Sequence, residues 1–280
     1  MEGMKLDDLP EDCITRILSR TSPQDACNSS LVSTVVNSAA SSDLLWEGFL
    51  PSDYREILSR LVSPVVFRSK KELFHRLCSQ LLIDGGKKAF WLERIRSKKC
   101  YMLSARELSI TWSTNSLFWC WKPSLQSRFG EVVELITISW LQIHGKMNTQ
   151  MLSPNTLYKA YLIVDFAGRA YGLDSLPSEV SIEVGSYQSR GSIYLRRQER
   201  RRESLERVWI LNRNAALRSR VVKGEERVPQ ERSDGWLEIE LGEFYSDGSD
   251  KEVKMSLKEV KGEHLKGGLI VEGIELRPKL

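Results

Sequence analysis

The chain has only three histidines, His75, His144 and His264, and none has an acid or nucleophile beside it at motif spacing. It contains no GxSxG elbow, no HExxH, no GxxxxGK[ST] phosphate loop and no GxGxxG turn. These absences predict a protein that is not an enzyme and that needs no cofactor or metal. Carboxylates are plentiful enough for a glycosidase-like pair, but a charged surface supplies such pairs by chance. The five cysteines, Cys13, Cys27, Cys78, Cys100 and Cys120, include no CxxC pair, which argues against a zinc site and a disulfide framework alike. No apolar run approaches eighteen residues, so no membrane span is expected. The opening MEGMKLDDLPEDC lacks the apolar stretch of a secretory leader, and a reducing cytoplasmic or nuclear location is the expectation. Charge of one sign is also scarce: 41 basic against 37 acidic side chains give a net +4, too little for a domain-wide nucleic-acid footprint.

What is present reads as two unequal units within 280 residues of ordinary globular composition. The first eighty residues punctuate as short helices. Asp8 precedes an apolar spacing at Ile14, Ile17 and Leu18, and Ser22-Pro23 repeats a helix start with proline at the first helical position. Ser42, Ser52 and Ser69 introduce further helical runs, so this part is an all-α cluster. Gly85-Gly86 breaks that pattern. Beyond it come strand-like runs at 132–143, 156–166, 179–186, 191–195, 236–241, 252–257 and 269–276, separated by turn residues. In WLEIEL, Leu237, Ile239 and Leu241 share one face and Glu238 and Glu240 the other; Val253, Met255 and Leu257 alternate likewise. The fold class expected is therefore α+β and multidomain: a small helix cluster, then an antiparallel β-sandwich. Between 196 and 232 a charged stretch carries one helix-like spacing, Leu205, Val208, Trp209 and Leu211.

The N-terminal run LDDLPEDCITRILSRTSPQDACNSSLVSTVVNSAASSDLLWEGFL resembles a plant-type F-box, through Leu9-Pro10, Ile14, Ile17, Leu18, Pro23, Asp25, Val32-Ser33 and Trp46. It departs from the pattern at Asn28, where relatives often carry arginine, and at Val35-Val36-Asn37, where a larger residue is usual. Residues 87–280 resemble the phloem protein 2-like domain, a family that includes cytoplasmic and nuclear plant lectins. The carrying segments are KKCYMLSARELSITW, SLFWCW, RFGEVVELITISWLQIHGKM, LSPNTLYKAYLIV, SDGWLEIELGEFY and GGLIVEGIELRP. The resemblance implies an F-box over 1–50, a helical linker over 51–86 and a jelly-roll-like carbohydrate-binding domain over 87–280.

The resemblance further implies a substrate-recognition subunit of a Skp-cullin-F-box ubiquitin ligase. Its partners would be a Skp-type adaptor, cullin through that adaptor, and a glycan or glycoprotein target. Leu9, Pro10, Ile14, Ile17, Leu18, Val32 and Trp46 would face the adaptor, although each could equally sit in the core. In the related lectins two tryptophans and two glutamates hold N-acetylglucosamine, and they correspond here to Trp112, Trp119, Glu252 and Glu259. Bottom-up, Trp112, Trp119 and Trp121 cluster beside Ser109, Thr111, Ser113 and Asn115, as a sugar site would, but buried tryptophans are normal in sandwiches. Around Glu252 the chain reads SDGSDKEVKM where relatives have a more acidic loop. The alternative is a β-domain of this fold that binds unmodified protein. RRQERRR at 196–202 is a candidate basic address, or a solvated loop balanced by Glu199, Glu203 and Glu206.

Overall fold

The computed structural model describes residues 9–196 and 227–279. Six short helices come first among the described residues: α1 (Glu11–Leu18), α2 (Pro23–Ser29), α3 (Thr34–Ser41), α4 (Asp43–Phe49), α5 (Tyr54–Ser59) and α6 (Lys70–Leu77). Their starts follow from local chemistry. Ser22 and Asp25 form a reciprocal capping box at α2. Ser33 accepts from the Val36 N–H at α3, and Ser69 accepts from the Glu72 N–H at α6. Ser42 makes no side-chain cap, and Asp53 rather than Ser52 stands at the N-cap of α5, also without a side-chain cap. In α1, Ile14 and Leu18 lie on the buried face and Ile17 turns to solvent, so the expected single stripe is split. Asp8 lies outside the described residues.

Fourteen strands follow among the described residues: β1 (Leu81–Ile83), β2 (Lys88–Leu92), β3 (Lys99–Ser104), β4 (Ser109–Ile110), β5 (Trp119–Pro123), β6 (Glu131–Leu135), β7 (Leu141–Asn148), β8 (Thr156–Tyr171), β9 (Ser178–Val184), β10 (Tyr187–Ile193), β11 (Gln230–Glu231), β12 (Leu237–Ser246), β13 (Glu252–Glu259) and β14 (Gly267–Pro278). One sheet has nine strands in the order β1-β2-β3-β14-β8-β12-β11, with β6 on β14 and β5 on β6. The other has five, in the order β10-β9-β13-β7-β4. All the described pairings are antiparallel. The sheets pack as a sandwich whose core takes Ile239 and Leu241 from one and Val253, Met255 and Leu257 from the other. Gly273 shows how tightly β14 meets β3: a Cβ there would lie 2.0 Å from the Leu103 carbonyl oxygen.

Two expectations change. The run 132–143 is not one strand: β6 belongs to the nine-stranded sheet and β7 to the five-stranded one. Between them the chain crosses the sandwich, and Ile138 exchanges two backbone hydrogen bonds with Lys266 at 2.9 and 2.8 Å. The 51–86 segment is not helical throughout, because β1 already pairs with β2 ahead of the diglycine. Gly85 and Gly86, both at positive φ, make the turn inside that hairpin. The helix-like spacing at 205–211 lies outside the described residues, as does all of 196–202 except Arg196.

The helical unit is fastened to the sandwich rather than tethered by a free linker. Arg60, at the end of α5, makes a two-pronged ion pair with Asp84 at 2.9 Å on each prong. Lys99 in β3 reaches Asp53 at 2.9 Å. One continuous apolar core runs from Ile14 through Trp46 and Phe74 into Phe90, Tyr101 and the sandwich.

Candidate functional site

In the sandwich, the segment joining β4 to β5 presents Trp112. Two indoles hold that loop from behind: Trp119 donates to the Thr111 carbonyl and Trp121 to the Ser113 carbonyl, each at 2.9 Å. Trp119 is 1% exposed, which corrects its expected role as a stacking face; its ring is core and its N–H shapes the loop. The Trp121 ring is covered by the Arg106 guanidinium 3.5 Å above it, itself held by Glu131. Trp112 is the accessible member, 51% exposed, with its ring 5.2 Å from that of Phe118. Its backbone has φ +59, a strained conformation for a bulky residue, and such strain concentrates at functional sites.

The same corner gathers residues that sequence reasoning missed. Thr111 N–H donates to the Gln142 carbonyl, which brings the Trp112 loop onto β7 beside Trp140. Trp140 is exposed, and its indole donates to Gln142 Oε1 at 3.1 Å. Ile136 and Leu117 are exposed as well, and Ile136 N–H donates to the Phe118 carbonyl. Gln142 meets His144 further along the outer face of β7. Burial, and then the nearby Lys258, lower the His144 pKa. Trp140 lay inside what read as the middle of a single strand, and only the sheet crossing at Ile138 turns it outward.

The two glutamates do not join this corner together. They stand at opposite ends of β13, paired with Asn148 and Leu141 respectively, seven residues or about 23 Å apart at strand rise. Glu252 is exposed and pairs with Lys146 at 3.3 Å. Glu259 faces inward, 4% exposed, bound to the buried Lys266 ammonium and accepting from the Gly262 N–H. The expected four-residue constellation is therefore corrected. An odd offset on one strand puts the glutamates on opposite faces, and the strand's length puts them beyond the span of one sugar ring.

In the helical unit the expected adaptor set also divides. Ile14, Leu18 and Trp46 are 0%, 4% and 0% exposed and form its core, which corrects their assignment to a contact face. Trp46 packs against Phe49 and Phe74 and donates to the Ala40 carbonyl at 2.8 Å. Leu9 is half-buried, and Pro10, Ile17 and Val32 are exposed. Leu31 and Leu44, 88% and 73% exposed, were missed, although Leu31-Val32 is the only apolar pair in the polar turn between α2 and α3.

A phloem protein 2 family model matches residues 98–278, and an F-box model matches residues 6–48. The chain belongs to the phloem protein 2 family, in its F-box-bearing form. Among Arabidopsis thaliana proteins, F-box protein PP2-B15 is 48% identical over 97% of this chain and 96% of its own length. F-box protein PP2-B13 is 45% identical over 96% and 98%. F-box protein VBF is 45% identical over 97% and 99%. This phloem protein 2 chain thus carries two accessible apolar surfaces, one on the F-box and one at the Trp112 corner. Among its described residues no helix is long and apolar enough to cross a membrane.

Proposed function

We propose that the chain is the substrate-recognition subunit of a Skp-cullin-F-box ubiquitin ligase, working in the cytoplasm or nucleus without catalysing a reaction itself. The carrying observation is the F-box surface. Its core closes around Ile14, Leu18 and Trp46, yet Ile17, Leu31, Val32 and Leu44 stay 46–88% exposed within a few turns of chain. Burying such side chains against a partner is worth roughly 1.5–3 kcal/mol each, a strong drive to dock an adaptor. Holding a target beside the ubiquitin-charged enzyme then raises its effective concentration. Co-purification with a Skp-type adaptor and cullin tests this. Replacing Leu31 and Val32 with serine should abolish it while the sandwich stays folded; undiminished co-purification would sink the docking reading.

The target side is read at the Trp112 corner as a glycan on a protein, of the N-acetylglucosamine-containing kind, because an exposed indole face stacks on the C–H face of a pyranose. A second reading, contact with unmodified protein, is favoured by the aliphatic neighbours Leu117 and Ile136 and by the separation of Glu252 from Glu259. Titration with N-acetylglucosamine oligomers decides between them, since only the first reading predicts binding that Trp112→Ala removes.

A further inference from the structure

We propose that a cavity where the helical unit meets the sandwich binds a small phosphorylated polyol, a sugar or cyclitol bearing phosphate. The cavity measures about 440 Å³, inside the range of roughly 300–1,000 Å³ common for small-molecule sites. Its walls come from the end of α1, the segment before α5, the β2–β3 hairpin and the stretch leading into β8. It therefore touches both the F-box side and the target-binding side of the molecule.

Its polar groups are incompletely used. Asp53 Oδ2 is taken by Lys99, but Asp53 Oδ1 is buried without a hydrogen-bond partner, and so is Ser97 Oγ. Both residues line the cavity. A buried polar atom left unpaired is costly, so each of these two calls for a partner. Arg96 and Lys98 add two cations to the same wall, with no ion pair to any described acid. The hairpin that carries them is rigidly built: Glu93 accepts from the Ile95 and Arg96 N–H groups at 2.7 and 2.8 Å. At its tip Ser97 holds φ +56, where glycine would be unstrained.

These groups set the chemistry of the occupant. Asp53 Oδ1 needs a donor, and Ser97 Oγ can donate or accept, which hydroxyl groups satisfy. Arg96 and Lys98 call for an anion, and phosphate is one that guanidinium and ammonium groups both hold through charge-assisted hydrogen bonds. Inorganic phosphate must serve the aspartate and both cations through the same four oxygens, and a neutral polyol leaves the cations unsatisfied. A ligand carrying both groups would tie the segment before α5, the hairpin and the approach to β8 together, and so stiffen the junction between the helices and the sandwich.

The test uses the full chain. Calorimetric titration with glucose 6-phosphate and with inositol monophosphate is compared with inorganic phosphate and glucose. A phosphorylated polyol should bind at least about tenfold more tightly than either control, which corresponds to about 1.4 kcal/mol, and should raise the Tm. Ser97→Gly should raise the Tm of the free protein by relieving strain while weakening binding, a pair of opposite signs that misfolding cannot produce. Arg96→Ala combined with Lys98→Ala should remove the advantage over glucose. No binding at millimolar ligand, equal binding of inorganic phosphate, or unchanged binding in both variants would overturn the proposal.

Discussion

The F-box unit and the β-sandwich solve the same problem, burying apolar surface, in opposite ways. Every helix of the first is six to eight residues long, well short of the roughly 12–15 residues at which an isolated helix becomes even marginal. Its stability comes from packing around Trp46, and large apolar side chains remain outside. In the sandwich, long strands such as β8 and β14 close the core by distant pairing. On the outer side of the nine-stranded sheet Arg232 and Arg277 bridge Glu238 and Glu275 beside a small apolar cluster that includes Met102, Ile163 and Trp236. The lesson is that both units keep apolar side chains outside, the F-box because short helices leave a small core and the sandwich at the corner where Trp112, Leu117, Ile136 and Trp140 stand exposed.

Trp46→Ala offers the largest break in that contrast. It removes the ring that Phe49 and Phe74 pack against, and about 3–5 kcal/mol should be lost. Thermal unfolding should then show a Tm well below that of the parent chain. An unchanged Tm would contradict the place of Trp46 in the core that joins the helices to the sandwich.

The two glutamates sharpen the comparison within the sandwich. Glu259→Gln leaves the buried Lys266 without its counter-charge and should cost about 3–5 kcal/mol, seen as a large fall in Tm. Glu252→Gln on the exposed face should change stability by no more than about 0.5 kcal/mol. Similar losses for the two would mean that the inward and outward assignments are wrong.

Acid should act on the junction between the units. The Arg60 guanidinium, followed by Lys88, pulls the Asp84 pKa down to about 2 from 3.8. A depressed carboxylate stabilises the fold fully above its unfolded pKa, and that contribution fades as pH falls from about 4 towards 2. Its size is at most about 2 kcal/mol. Asp84→Asn should flatten this part of the pH–stability curve, measured by denaturant unfolding; an unchanged slope would show that the pair contributes nothing.

The smallest stability effect is expected at Val32→Ser, within about 0.5 kcal/mol because the side chain is already solvated, together with a clear loss of adaptor co-purification. A large fall in Tm would place Val32 in a packed environment and undo the contrast drawn between the two regions.

Much of this was legible in advance. Serine caps at Ser22 and Ser69 announced α2 and α6, because a cap is chemistry between residues three apart. Alternation in WLEIEL placed Leu237, Ile239 and Leu241 inside, because a strand's period of two depends only on the backbone. Family motifs marked the F-box and the phloem protein 2 domain in order. The site was less legible. Trp112 and Trp119 look equivalent as letters, and so do Glu252 and Glu259.

The sequence by itself determined the local periods, the caps and the two-unit order, all of which arise within a few residues of chain. Tertiary structure alone decided which tryptophan faces water, which glutamate is buried with Lys266, where the run 132–143 crosses between sheets, and that Trp140 joins Trp112. Those outcomes depend on strands far apart in sequence meeting in one register, and a residue's neighbours across a sheet are not encoded in its neighbours along the chain.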